Sequence, residues 1–87
     1  MAVAETVDIG PGENVRAVPV TAPFVATVWQ IGAEAGEWVM EGEPLLSLEA
    51  MKLESKVATP VSGTLMDIYV KPGEQVVQGQ VLAAVRP

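Results

Sequence analysis

Residues 20–50, VTAPFVATVWQIGAEAGEWVMEGEPLLSLEA, are repeated at residues 57–87 as VATPVSGTLMDIYVKPGEQVVQGQVLAAVRP, 37 positions further along the chain. Nine of the 31 aligned positions are identical, and the alignment needs no gap. The identical pairs are Val20/Val57, Pro23/Pro60, Thr27/Thr64, Ile31/Ile68, Gly36/Gly73, Glu37/Glu74, Val39/Val76, Gly42/Gly79 and Leu45/Leu82. An internal repeat of this strength predicts two structurally equivalent halves.

Each copy has the residue pattern of β-strands. Residues 27–31 and 64–68 are rich in β-branched and apolar side chains and are bounded by turn formers. The glycines at matched places, Gly36 with Gly73 and Gly42 with Gly79, indicate turns that need a positive φ. Further strands are expected at residues 44–48, 53–58 and 80–85. No window shows a helical period of apolar residues, because prolines and glycines interrupt too often.

The predicted fold class is therefore all-β, with the two copies related by a pseudo-twofold axis. Neither half alone buries enough apolar surface to be stable, so each must cover the other. Residues 1–16 lie outside the duplication and include a Gly-Pro-Gly run, which is typical of a linker. We expect a flexible lead-in at residues 1–16 and one domain at residues 17–87.

The composition excludes several function classes. The 87 residues include no cysteine and no histidine, which removes thiolate and imidazole metal ligands and the commonest general base. A net charge of −6 disfavours nucleic-acid binding. The longest uncharged stretch, residues 17–33, contains two prolines and is too short to span a bilayer. We predict no catalytic residue, no metal site, no nucleic acid and no membrane partner, and a cytoplasmic protein without a secretory signal.

The connection between the copies breaks a local rule. A hairpin turn is expected at residues 49–52, between a strand that ends in Leu48 and one that starts at Leu53. Tight hairpins favour Asn-Gly or Gly-X at their centre, because the central residues need φ > 0. Ala50, Met51 and Lys52 do not fit that rule. A local rule broken at an exposed turn indicates a functional site.

The run Glu49-Ala50-Met51-Lys52 resembles the biotin-attachment motif of the biotinyl carrier domains of biotin-dependent carboxylases. The resemblance covers about residues 17–87 and includes the duplication and the lysine between the halves. It implies a flattened β-barrel, or sandwich, of two four-stranded sheets. The family lysine corresponds to Lys52, which would carry covalent biotin, and Glu49, Ala50, Met51 and Leu53 would form the recognition motif around it. The family usually has Met at the position of Leu53 and Gly at the position of Ala26, whereas the second copy keeps Gly63.

The resemblance also implies the partners: a biotin protein ligase, which loads Lys52 from an activated biotinyl-adenylate, and biotin carboxylase and carboxyltransferase subunits or domains. The chain itself would be a carrier and not an enzyme. Because an ordinary lysine amine is protonated at neutral pH and Glu49 and Glu54 favour the charged form, the ligase must deprotonate it.

Two other readings stay open. A lipoyl carrier shares the fold, although its family typically has Asp-Lys-Ala at the turn. An unmodified structural module of the same shape is the third. Urea, pyruvate and acyl-CoA carboxylases all use such carriers, so the acceptor is not predicted. Lys56 and Lys71 are expected to be ordinary surface lysines, and Trp29 and Trp38 to lie in or at the edge of the core.

Overall fold

A computed structural model describes the backbone of residues 5–10 and 13–87, and the side chains from residue 17 onward. The described residues form nine strands and no helix, so the all-β prediction is confirmed. The strands are β1 Glu5–Gly10, β2 Glu13–Thr21, β3 Ala26–Ile31, β4 Trp38–Val39, β5 Pro44–Ala50, β6 Leu53–Ala58, β7 Gly63–Ile68, β8 Gln75–Val76 and β9 Val81–Arg86.

The strands form two antiparallel sheets packed as a flattened barrel. One sheet has the order β6-β5-β3-β8, and the other has the order β1-β2-β9-β7-β4. Four strands of the second sheet match the four of the first, and β1 adds a fifth at its edge. The flattened barrel-sandwich expected from the resemblance is thus confirmed.

The two halves have equivalent strand pairing. β5 pairs with β6 through Leu46↔Val57 and Leu48↔Ser55, and β9 pairs with β2 through the positions 37 residues away. The strands β3 with β5 and β7 with β9 share one register and a bulge at the same place. The matched glycines have matched φ angles: 92° and 90° at Gly36 and Gly73, 87° and 85° at Gly42 and Gly79. The predicted equivalence of these four turns is confirmed.

The core lies between the sheets and consists of small and branched aliphatic side chains. The largest fully buried side chains come in pairs that are related by the repeat, one on each sheet. These are Leu45, Leu48, Leu65, Leu82, Val28, Val39, Val76 and Val85. Burying a leucine or valine side chain contributes about 1.5–3 kcal/mol. The core therefore holds together a domain with few aromatic residues.

Gly63 begins β7 where the chain leaves no room for a side chain. A Cβ atom there would overlap the backbone carbonyl of Arg86. Its repeat partner Ala26 is buried and pairs with Val76 in the same way that Gly63 pairs with Val39. The alanine that departs from the family pattern thus leaves the strand pairing of the first copy unchanged.

The segment expected as a flexible lead-in includes β1 and the start of β2, which pair as an antiparallel hairpin through Glu5↔Ala17 and Val7↔Val15. The division of the chain at residue 17 stays a prediction.

The expectation that the tryptophans lie in the core or at its edge is not met, because neither packs against the core cluster. Trp29 is 50% exposed and Trp38 is 63% exposed. Each lies next to a buried valine, Val28 or Val39, and neighbouring residues of a strand point to opposite faces. The valine of each pair fills the core, so the indole faces outward.

Among the described residues, no helix is long or apolar enough to cross a membrane.

Candidate functional site

The hairpin between β5 and β6 ends in a two-residue turn. Ala50 and Leu53 are the last paired residues, and Met51 and Lys52 form the turn. The turn is shorter than the predicted span of residues 49–52, because Glu49 and Ala50 continue strand β5. Lys52 therefore lies at the outermost point of the hairpin.

Both residues of the turn adopt a left-handed backbone. The φ angle is 53° at Met51 and 65° at Lys52, and among the described residues no other non-glycine residue has a positive φ. Two-residue hairpin turns of type I′ require this conformation, which glycine and asparagine adopt most easily. For other side chains the left-handed region costs roughly 1–2 kcal/mol per residue. The structure thus places measurable backbone strain at the motif, and such strain is concentrated at functional sites.

The side chains of the motif divide between solvent and core. Met51 is 94% exposed and Leu53 is 71% exposed, and Glu49 and Lys52 are also exposed. Ala50 is half-buried and packs against the core cluster. Four of the five predicted residues are thus presented together at the tip, and Ala50 anchors them from below.

The base of the hairpin is rigid. Leu48 is fully buried opposite Ser55, and the buried Leu46 pairs with the buried Val57 two residue pairs further from the turn. Close-packed aliphatic side chains of this kind hold the backbone in one arrangement. The hairpin fixes the position of the Lys52 backbone while the four methylenes and the amine remain free in solvent.

Two carboxylates lie beside the turn. Glu49 and Glu54 are directly opposite each other on β5 and β6, and both are exposed on the outer face of the sheet. Directly opposed side chains in an antiparallel pair have Cβ atoms about 5 Å apart, and like charges at that distance are destabilising. Lys56 follows on the same face, opposite Ser47. The surface next to the tip therefore carries two carboxylates with the amines of Lys52 and Lys56 near them.

The same end of the sheet carries exposed apolar residues that sequence reasoning missed. Val25, just before β3, is 68% exposed, and Val77, just after β8, is 59% exposed. Val25 extends β3, which lies beside β5, and Val77 extends β8, the next strand in the sheet order. The signal was available in the repeat alignment, in which Val25 matches the polar Ser62.

The other candidates lie elsewhere. Lys56 is in the middle of β6, and Lys71 is in a turn where its amide donates to the Glu74 carboxylate at 3.2 Å. Within the described part of the chain, no group of three or more acidic side chains is arranged to hold a metal ion. Among the residues that the structure describes, only the hairpin turn combines a lysine, exposure to solvent and a positive φ at non-glycine residues.

Comparisons with known proteins identify the family of this fold and turn. Residues 13–85 match the biotin/lipoyl family model described as "Biotin-requiring enzyme". A biotin carboxyl carrier protein of acetyl-CoA carboxylase from Solanum lycopersicum is 39% identical over 67 residues, which are 77% of this chain and 96% of that protein. The alpha subunit of mitochondrial methylcrotonoyl-CoA carboxylase from Arabidopsis thaliana is also 39% identical over 67 residues, which are only 9% of its length.

Solved structures agree with these relatives. The Kluyveromyces lactis urea carboxylase matches with a TM-score of 0.78 and 26% identity, over 94% of this chain and 7% of that one. The lipoyl domain of an Azotobacter vinelandii 2-oxoglutarate dehydrogenase complex matches with a TM-score of 0.63 at 24% identity, over 72% of this chain and 80% of that one, which shows the shared fold. The chain spans about a tenth or less of the carboxylase chains that it matches. It belongs to the biotin/lipoyl family of biotin-requiring enzymes, as a biotin carboxyl carrier domain.

Proposed function

We propose that Lys52 is the residue on which this domain carries biotin, through an amide bond to the lysine Nζ. The observation that carries the proposal is the turn itself, where two non-glycine residues are held in the left-handed region at a fully exposed tip. An Asn-Gly turn would be easier to form, so stability alone does not explain Met51 and Lys52. A need for a long primary amine at this point does explain the lysine.

The attachment chemistry is a nucleophilic acyl substitution. The neutral amine of Lys52 attacks the activated carboxyl carbon of biotinyl-adenylate, an amide bond forms, and AMP leaves with the electron pair of the broken C–O bond. The amine must first lose a proton, and the chain has no histidine to accept it. We therefore assign both activation and deprotonation to a biotin protein ligase.

The loaded domain would act as a tether and not as a catalyst. When bound, the cofactor supplies the carboxyl-transfer chemistry. The chain supplies a rigid hairpin, an exposed attachment point and a mobile side chain. Tethering makes each delivery to a partner site intramolecular, at an effective concentration typically in the millimolar range. The proposed partners are biotin carboxylase and carboxyltransferase subunits or domains, because the relatives are subunits and carrier proteins of carboxylases. Cytoplasmic location belongs to this proposal as well.

The test is loading by a biotin ligase in co-expression, read by streptavidin blot and intact mass. Wild type is expected to gain the mass of one biotinyl group. Lys52→Arg is expected to gain nothing and to keep the thermal midpoint of the wild type, because the side chain makes no core contact. Lys56→Arg is the matched control, an exposed lysine four residues away, and should load fully. Biotin on the Lys52→Arg variant would refute the assignment.

A lipoyl carrier is the second candidate, supported by the match to a lipoyl domain. Its family typically has Asp-Lys-Ala at the turn, where this chain has Met51-Lys52-Leu53. The same intact-mass measurement, repeated with a lipoate ligase, separates the two because the added groups differ in mass. A chain that stays unmodified with both ligases would instead be a structural module.

A further inference from the structure

The strands of the four-stranded sheet all end at the Lys52 side of the barrel in an exposed apolar residue. Leu53 begins β6, Met51 follows β5, Val25 precedes β3 and Val77 follows β8. Their exposed fractions run from 59% to 94%. With strands about 4.8 Å apart, these four residues form a row about 14 Å long. We call this row the apolar rim.

Backbone bonds fix Val25 and Val77 in the rim. On one side of them, Ala26 pairs with Val76. On the other side, the Ala22 amide donates to the Gln80 carbonyl at 2.9 Å, and the Gly79 amide donates to the Ala22 carbonyl at 2.8 Å. The two segments therefore run side by side, and the valines lie next to each other between two anchored points. The rim is a preformed surface.

The opposite end of the barrel shows that the fold does not require an apolar residue at the position of Val25, although Met40, the repeat partner of Val77, is 64% exposed there. There the repeat partner of Val25 is Ser62, whose hydroxyl accepts a hydrogen bond from the Glu41 amide at 2.8 Å. The Gly42 amide, one residue on, donates to the Thr59 carbonyl at the far end of β6. That strand is six residues long, so this end lies about 20 Å from the turn. The same backbone thus uses a polar residue where no lysine is modified.

We propose that the apolar rim is the surface on which a biotin ligase docks, with Val25 and Val77 as recognition residues outside the attachment motif. The proposal rests on the assignment of Lys52 above. A lysine side chain spans only about 6 Å from Cα to Nζ. A ligase that brings the Lys52 amine into its active site must therefore cover the hairpin tip and the surface level with it.

The reach of the loaded arm separates the ligase from the later partners. The pentanoyl chain of biotin adds about as many bonds again as the lysine side chain contains. A carboxylase site can therefore receive the ring while its own surface stays further from the rim. The ligase acts on the unmodified amine, so its surface must approach the rim to within the length of the lysine side chain.

The charges next to the rim are balanced and leave the apolar residues to define the partner. Glu49 and Glu54 face each other across the second residue pair below the turn, and Lys56 lies two residues beyond Glu54 on the same face. With Lys52 at the tip, two acidic and two basic groups lie at this end of the hairpin. The partner surface is thus apolar at its centre.

The test measures the rate of loading of the full chain by a purified biotin protein ligase at saturating ATP and biotin. The key variant is Val25→Ser with Val77→Ser, which removes the valine half of the rim and leaves the motif intact. Two valines lost from an apolar contact should lower kcat/KM for the carrier about tenfold, through a higher KM with kcat unchanged. The matched control is Met40→Ser, the repeat partner of Val77, which is 64% exposed at the opposite end; it should stay within about twofold of wild type.

The single variant Val25→Ser is the control for a folding defect. It copies the residue at the equivalent position of the second half, so the fold is known to accept it, and its thermal midpoint should not fall. It should still lower kcat/KM about threefold, half of the double effect on a logarithmic scale.

The outcomes separate this inference from the assignment of Lys52. Wild type that is not loaded at all would refute both. Wild type that is loaded, with serine variants loaded equally fast, would overturn the rim alone. The serine variants could also load normally and then be carboxylated more slowly by a biotin carboxylase. That result would assign the rim to the biotin carboxylase and overturn its assignment to the ligase. A wild-type dimer that the serine variants dissociate in sedimentation would also overturn it.

Discussion

Replacing the turn Met51-Lys52 by Asn-Gly should make the domain more stable while abolishing its modification. Both native residues have a positive φ, at 53° and 65°, and relief of that conformation contributes roughly 1–2 kcal/mol per residue. Met51 is 94% exposed, so little packing is lost. Glycine increases the entropy of the unfolded chain, which offsets about 0.4–1 kcal/mol. For the two residues together, the net expectation is a gain of about 1–3 kcal/mol in the free energy of unfolding.

The assay is urea unfolding followed by circular dichroism, with a thermal scan beside it. For a domain of this size, 1 kcal/mol corresponds to a rise of about 4–8 °C in the midpoint. Controls with the same chemical changes at other exposed sites are Met40→Asn, expected within about 0.5 kcal/mol of wild type, and Lys56→Gly, expected to lose about 0.5–1 kcal/mol inside β6. A turn variant that is no more stable than wild type would refute the reasoning that the native turn is strained.

Gly63→Ala should lower the free energy of unfolding by about 2 kcal/mol or more, since the new methyl group would overlap the Arg86 carbonyl. Gly32→Ala is the control, because its new Cβ would lie 3.6 Å from the Leu45 carbonyl oxygen, and it should be neutral or stabilising. Equal effects of the two substitutions in urea unfolding would contradict this. The pKa of Tyr69 is raised above 10.0 by burial and then by the nearby Asp67. The contribution of Tyr69 to stability is therefore complete below pH 10 and is lost as the pH rises through the higher pKa of the folded state. Titration of tyrosinate absorbance in folded and in urea-unfolded protein measures both pKa values. A pKa in the folded protein at or below that in the unfolded protein would be the contrary result. A chain trimmed to residues 17–87 keeps the pairing of β2 with β9 and should still accept biotin from a ligase; loss of loading would move the boundary to include the first hairpin.

The prediction of Lys52 as the attachment residue rests on two independent signals in the sequence. The 37-residue repeat placed Lys52 between two equivalent halves, and the turn residues violated the preference of tight hairpins. The structure confirms the violation as a positive φ at both positions. The motif residues Glu49, Met51 and Leu53 were located for the same reason, since local sequence determines which residues fall at a two-residue turn.

The rim and the two tryptophans could not be located in this way. Val25 and Met51 are separated by 25 residues in the chain and become neighbours only because β3 pairs with β5. Whether Trp29 or Val28 fills the core depends on which face of the strand meets the other sheet, and the apolar pattern alone fits both choices. Composition cannot resolve this, because both side chains are hydrophobic.

The all-β class, the duplication and the four glycine turns follow from the sequence alone, because these depend on local backbone preference and on the repeat. The three-dimensional packing establishes which side chains share the Lys52 end of the barrel, that Glu49 opposes Glu54, and that Gly63 has no space for a Cβ atom beside Arg86. Those facts depend on strand register and sheet order. Both are set by the packing of residues distant in the chain, and no local propensity encodes them.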